Sequence, residues 1–219
     1  MTSVPSRFEH RWPAALAVLF LLALLALLPG RVRLMPMWFP YAVAFFILLP
    51  MLLVELPAAR ARFVRIERAT TLLLALVMLV VTLTTLAWLI HAMVFRATDV
   101  SGVQLLASSV AAWAANVLAF ALIYWEVDRG GPQGRANDSR QRPDWLFPHD
   151  TAPAEVVPPG WHPTFIDYLF LGYVTATAFS PTDALPLTKR AKMLMLVEST
   201  ISLLTILLVA ARAINILGS

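Results

Sequence analysis

An ionisable side chain inside an apolar run has the most chemistry to offer in this chain, and Glu198 is the clearest case. Ser202 and Thr205 follow it at i+4 and i+7, which places all three on one face of a helix. Such a carboxyl has two readings. It lines a polar path, because burial of a charge in a membrane span is costly and kept for function; or it is a helix-end acid paired with Lys189, Arg190 or Lys192. The histidines His10, His91, His149 and His162 have no metal-ligand spacing. His91 is by type a pH-sensor candidate and otherwise an interfacial hydrogen-bonder. Asp144, His149 and Asp150 fall close together, but in a hydrophilic stretch where polar residues are ordinary. No G-x-S-x-G, P-loop or H-E-x-x-H pattern occurs, so the chain does not read as an enzyme, and no catalytic residue, cofactor or metal is expected.

These residues need elements to hold them, and composition says of what kind. The 219 residues are 59% hydrophobic and 14% charged, with a mean hydropathy of +0.74. A soluble domain of this size lacks the interior to hide so much apolar surface. The expected fold is an all-α integral membrane helical bundle with five spanning helices and one re-entrant segment. The 17 Lys and Arg exceed the 13 Asp and Glu, an excess that anchors loops against anionic headgroups. The lipid bilayer is therefore the expected partner, and nucleic acid is not. Cysteine is absent, which excludes disulfides and thiolate metal sites.

Five runs approach the roughly 20 apolar residues that a span needs: 13–28, 38–56, 70–95, 103–125 and 193–211. The first has the length and basic flank of a signal peptide, but Leu27-Leu28-Pro29 offers no small-x-small cleavage site, so a retained helix is expected. Pro40 and Pro50 predict kinks in the second, and Glu55 at its end faces the arginines between 60 and 68. On the fourth, Ala107, Ala111, Ala115 and Ala119 recur every four residues, with Ser108, Ala112 and Asn116 on the adjoining row. Small faces of this kind let helix backbones approach closely, within the bundle or between subunits. Residues 128–162 are polar and turn-rich and predict a partly mobile loop, with Trp145, Phe147 and Trp161 as interface anchors. The apolar run 165–179 would reach about 22 Å, short of a hydrocarbon core of roughly 30 Å. Ser180-Pro181-Thr182-Asp183 and then Pro186 break it, which predicts a re-entrant segment; the alternative is a thin sixth span. No internal repeat is present.

From residue 165 onward the chain resembles the pore module of the potassium-channel-like cation channels: outer helix, pore helix, filter loop, inner helix. That family's loop reads T-x-T-T-V-G-Y-G-D-x-x-P. In the same register, without a gap, this chain reads Thr175-Ala176-Thr177-Ala178-Phe179-Ser180-Pro181-Thr182-Asp183-Ala184-Leu185-Pro186, matching at Thr175, Thr177, Asp183 and Pro186. Asp167-Tyr168-Leu169-Phe170 resembles the aromatic start of a pore helix, and Glu198 sits where many bacterial members carry an acid early in the inner helix. The chain is also similar to bacterial membrane proteins with a Tyr-Trp-Glu-x-Asp-Arg-Gly-Gly-Pro stretch, here running from Tyr124 to Pro132.

The channel resemblance implies an N-terminal membrane region, 1–102, with three spans, and a pore-module-like region, 103–219. The latter divides into an outer helix at 103–127, a polar loop at 128–162, a re-entrant segment at 163–186 and an inner helix at 189–217. It further implies a homo-oligomer in the cell membrane, a tetramer where a pore forms, passing monovalent cations. Thr175 and Thr177 would then stabilise a loop running through Ala178, Phe179, Ser180, Pro181, Thr182 and Asp183. Phe179 and Pro181 would set the constriction, Asp183 would brace the mouth, and Glu198, Ser202 and Thr205 would line the vestibule. The departures fall where ion chemistry happens. A potassium filter replaces the ion's water with rings of backbone carbonyls, and its glycines make that backbone possible. Here those positions hold Ser180 and Thr182, with Pro181 between them fixed in φ and lacking an N–H. A weakly or unusually selective cation or proton channel is the expectation. The alternative is a non-conducting structural or accessory membrane protein, and a small transporter is a third reading that the missing repeat disfavours.

Charge gives a conflicting orientation. A cytoplasmic N-terminus with five spans and one re-entrant segment puts most Lys and Arg inside, as the positive-inside rule asks. Potassium-channel topology puts most of them outside. A pore loop entering from the cytoplasm, as in glutamate-receptor channels, or a full crossing of 165–179, removes the conflict. A cytoplasmic N-terminus is expected.

Overall fold

The structure, a computed structural model, describes residues 9–27, 45, 48–49, 60–95, 102–136, 142–177 and 184–217. Helix α1 is Trp12–Leu27, α2 is Arg60–Phe95, and α3 is Gly102–Val127. A 3-10 turn at Asp128–Gly130 leads into the short α4, Gly131–Ala136. The strand β1 is Trp145–Leu146, α5 is Phe165–Thr177, β2 is Leu185–Pro186, and α6 is Lys189–Leu217.

Among the described residues three stretches are long and apolar enough to cross a membrane, Val64–Trp88, Leu106–Arg135 and Lys189–Ala211, and two shorter apolar helices are Trp12–Leu24 and Phe165–Thr177. The chain is a helical membrane protein. The expected span at 38–56 lies, but for residues 45 and 48–49, outside the described residues. So does the loop 178–183. The third expected span, 70–95, belongs to a longer helix that begins at Arg60.

The helices are apolar all round, so apolar periodicity does not decide which face turns inward. Polar residues decide it. On α2 the buried face carries Glu67, Thr71, Leu74, Met78, Thr82 and Thr85, while Leu73, Leu76, Val80 and Leu83 are exposed. On α6 Glu198, Ile201, Ser202 and Thr205 are buried, while Leu196, Leu203, Ile206 and Leu207 are exposed. Hydrocarbon solvates the apolar face and cannot solvate a hydroxyl or carboxyl, so polar groups turn to partners inside the bundle. Exposed hydroxyls bond to their own helix instead: Thr84 Oγ1 donates to the Val80 carbonyl at 2.7 Å and Thr200 Oγ1 to that of Leu196 at 2.8 Å.

At the centre stands α3, packed against α1, α2, α5 and α6. Its alanines make that crowding possible. Ala111, Ala112 and Ala115 face Met78, Val81, Thr82 and Thr85 of α2, with Leu24 of α1, around a void of only about 10 Å³. The small-residue face is thus packing within the bundle, with Ala119 buried and Ala107 exposed.

The polar loop is more structured than expected. Trp145 and Phe147 are buried members of the core, not interface anchors, and Trp161 is half-buried against them. Trp145 packs against Tyr124 with ring centroids 4.8 Å apart and its indole meets Met195 of α6. β1 pairs antiparallel with β2, Trp145 opposite Pro186 and Leu146 opposite Leu185. The segment that follows α5 therefore returns beside the loop that precedes it.

Candidate functional site

Two polar clusters lie inside this apolar frame, one in the seam between α3, α5 and α6 and one at the end of the bundle where α3 finishes and α5 and α6 begin.

In the seam, Glu198 of α6 is fully buried. Tyr124 of α3 donates its hydroxyl to Glu198 Oε2. About two turns back along α3, Asn116 Nδ2 donates to the Glu198 carbonyl at 3.2 Å and to Ser202 Oγ at 2.9 Å. α5 closes the third side. Ser199 Oγ donates to the Thr175 carbonyl at 3.2 Å, and Gly172 sits directly on the carboxyl. A Cβ at Gly172 would lie 3.2 Å from the Val117 carbonyl and 3.3 Å from Glu198 Oε1. The missing side chain lets three helices meet around one acid. Three buried polar atoms here have no hydrogen-bond partner: Glu198 Oε1, Asn116 Oδ1 and the Thr175 hydroxyl. Thr205 Oγ1 bonds to the Ile201 carbonyl of its own helix at 2.8 Å.

The second cluster is built around the stretch from Trp125 to Pro132, in which Trp125, Asp128 and Arg129 reach out to other parts of the chain. Trp125 donates its indole N–H to Glu9 Oε1 at 2.6 Å. The same carboxylate accepts the Phe165 backbone N–H, 3.0 Å, and pairs with Arg135 Nη2, 3.0 Å. Glu9 thus ties the ends of α3, α4 and α5 together. Arg11 pairs with Glu67 of α2 at 3.0 Å. Asp128 Oδ1 accepts the Asp144 backbone N–H at 2.7 Å, and its Oδ2 accepts the Tyr168 hydroxyl at 2.6 Å. Arg135 lies over the Tyr168 ring, 4.9 Å from its centroid. The turn itself needs left-handed backbone at three successive residues: Arg129 at φ 52, Gly130 at φ 79 and Gly131 at φ 82. Arg129 tolerates this conformation held by Asp150 at 2.6 Å and Asp128 at 3.6 Å. At Gly131 a Cβ would also meet the Glu126 carbonyl at 3.1 Å, so glycine is required there twice over.

Local capping sets where α5 and α6 start. Thr164 gives its backbone N–H and hydroxyl to Asp167 Oδ2 at 2.7 and 2.8 Å, a first-turn acid at a helix N-terminus. Thr188 accepts the Ala191 N–H at 3.1 Å and donates to Asp144, which also pairs with Arg190.

Of the residues expected from sequence, the structure brings Glu198, Ser202, Asn116 and the Thr175 backbone together. It places Glu198 and Ser202 against α3 and buries Thr205, instead of setting them on an open vestibule wall. Thr177 is half-buried at the end of α5, its hydroxyl bonded to the Tyr173 carbonyl at 2.9 Å. Ala178, Phe179, Ser180, Pro181, Thr182 and Asp183 lie outside the described residues. Asp144, His149 and Asp150 do not converge: Asp144 serves Thr188 and Arg190, Asp150 serves Arg129, and His149 stacks on Trp161 at 4.3 Å. Among the described residues no group of acidic or histidine side chains could hold a metal ion. Residues the sequence reading passed over are Glu9, Arg135, Tyr124 and Gly172. Tyr124 lies within a noted motif, whereas nothing local marks Glu9, whose bond to Phe165 spans 156 residues.

Comparison with protein-family models, with curated proteins and with solved structures finds no match to this chain.

Proposed function

We propose that the chain is one subunit of a pore-loop assembly in the cell membrane, a homo-oligomer that passes protons or small monovalent cations with weak selectivity through a tetrameric axis. The observation that carries this reading is the course of the chain around α5. The helix has 13 residues, about 20 Å at 1.5 Å per residue, too short for a hydrocarbon core of roughly 30 Å. It starts at the end of the bundle marked by Glu9 and Asp128, and the chain is back at that end by Leu185 and Pro186. On this reading α3 is the outer helix, α5 the pore helix, 178–183 the loop and α6 the inner helix. Irregular backbone at depth is tolerated where it is buried in protein or lines a watery cavity, and an axis between subunits supplies that cavity.

The same packing changes which residues would line the axis. Glu198, Ser202 and Thr205 are occupied inside the subunit, so the inner wall falls to the exposed face of α6, with Leu196, Leu203 and Leu207 and the partly polar Thr200. A constriction of that kind gates by dewetting more than by coordination. The test is reconstitution of purified protein in planar bilayers. Proton or cation currents that rise with hydration of the α6 face, as in Leu203→Ser, are expected. Silence across ions, pH and voltage would reject conduction.

The apolar character of that face favours a second reading, a non-conducting accessory membrane protein in which the hairpin only packs. Oligomeric state separates the two. A tetramer in mild detergent supports the pore, and a monomer or dimer supports the accessory role, because one hairpin cannot enclose an axis.

A further inference from the structure

Near the turn that ends α3 lies a cavity of about 90 Å³, lined among others by Arg11, Arg65, Glu67, Arg68, Glu126 and Gly130. Its level in the bundle is fixed by its walls. The apolar stretch of α2 begins at Val64, and the one that runs from α3 through the turn into α4 ends at Arg135, so the cavity sits where hydrocarbon gives way to headgroups. Its chemistry is divided. Arg65 stands exposed at the rim, and half-buried Arg68 spends one N–H on the Gly130 carbonyl at 3.2 Å. Inside, Glu67 is engaged by Arg11 at 3.0 Å, but Glu126, 1% exposed, has an Oε1 with no hydrogen-bond partner. Gly131 leaves the Glu126 carboxyl room where it stands, since a Cβ there would lie 3.1 Å from Glu126 Oε2.

A bare anion drawn to the arginines would meet the Glu126 carboxyl, and a bare cation drawn to Glu126 would have to pass the arginines. A molecule with both groups satisfies both walls. We infer that this cavity binds a zwitterionic phospholipid headgroup, its primary ammonium donating to Glu126 Oε1 and its phosphate held at the rim by Arg65 and Arg68, as phosphatidylethanolamine would present them. Charge-assisted bonds to guanidinium and carboxylate are the strong ones, and an unpartnered buried acceptor is the group with most to gain from a donor. The inference is independent of the pore-loop reading, since it needs only one chain at a bilayer surface.

Full-length protein in mild detergent, titrated with single lipids and followed by native mass spectrometry and melting temperature, tests it. Phosphatidylethanolamine should bind at one site and raise the melting temperature. Phosphatidylcholine has the same charge without N–H donors and should bind about tenfold more weakly, the effect of one lost charged hydrogen bond. Phosphatidylglycerol, with phosphate and no ammonium, should also be weaker. Glu126→Gln should narrow the preference for ethanolamine over choline, and Arg65→Ala should weaken all three lipids alike. Equal binding of the ethanolamine and choline lipids, or a preference unchanged in Glu126→Gln, would overturn the proposal and leave the cavity to water. Should Glu126→Gln fail to fold, the comparison of the two lipids on the unmodified protein decides alone. Soluble phosphoethanolamine carries the same two groups, and if it matched the lipid's affinity the assignment to a lipid would fail.

Discussion

Tyr124 and Glu198 come from helices far apart in sequence, and each answers the other's need for a partner in an apolar seam. Removing one side of such a pair costs more than removing both, because the survivor keeps its desolvation penalty. Tyr124→Phe should therefore lower stability by about 1–3 kcal/mol, read as a fall in melting temperature in mild detergent. Adding Glu198→Leu should recover part of that loss, and a strictly additive double variant would contradict the coupling. Gly172 sets the depth to which α5 seats on this pair. The neighbours a new methyl would meet include the Val117 backbone carbonyl at 3.2 Å, which cannot swing aside as a flexible side chain would. Gly172→Ala should cost about 1–3 kcal/mol by overpacking, whereas Ala substitution at the exposed Tyr173 on the same helix should cost less. Glu198 was legible in the sequence as the one acid of an apolar run. Its surroundings were not, because the i+4 and i+7 spacing says that Ser202 and Thr205 share its face and not what that face touches.

For α5 the length and the breakers that follow were legible in the sequence. What holds the helix was not legible. Its first backbone N–H is taken by Glu9 and its first-turn Tyr168 by Asp128, contacts that no local pattern encodes. Composition also misled at the polar loop. Turn residues and charges predict mobility, yet β1 pairs with β2 and both Trp145 and Phe147 belong to the core. Aromatic residues amid polar ones read alike whether they anchor at a membrane surface or plug a core, and only the partner residues distinguish the two. Glu9 gives the sharpest check at this scale. Glu9→Ala leaves the buried Arg135 guanidinium without its carboxylate, a change that typically costs about 3–5 kcal/mol. Amide exchange should quicken most in the first turn of α5, at Phe165 and its neighbours, because their acceptor is gone. Exchange that rises evenly along the chain, or not at all, would show that Glu9 does not fasten that helix.

Along α2 and α6 the pattern is inverted from that of a soluble protein: Glu67, Thr82, Glu198 and Ser202 face inward while Leu73, Leu76, Leu203 and Leu207 face out. Hydropathy alone established that the chain lives in a bilayer, but it could not rank the faces of helices that are apolar on every side. The expected vestibule residues illustrate the cost. Glu198, Ser202 and Thr205 form a polar stripe, and a stripe suits a water-filled axis as well as a buried seam; burial against α3 chooses the seam. The small-residue face of α3 was legible because close helix approach has few other uses for alanine every fourth residue, and its Ala111, Ala112 and Ala115 pack against α2. A re-entrant course requires that α5 enter and the chain leave at one end of the bundle. Single cysteines at Glu155 and Leu185, both exposed, in a chain that has no cysteine of its own, test this with a membrane-impermeant thiol reagent on sealed vesicles of one orientation. The two sites should be labelled together or protected together, and both should reverse in inverted vesicles; one labelled while the other is protected would mean that the segment crosses the membrane.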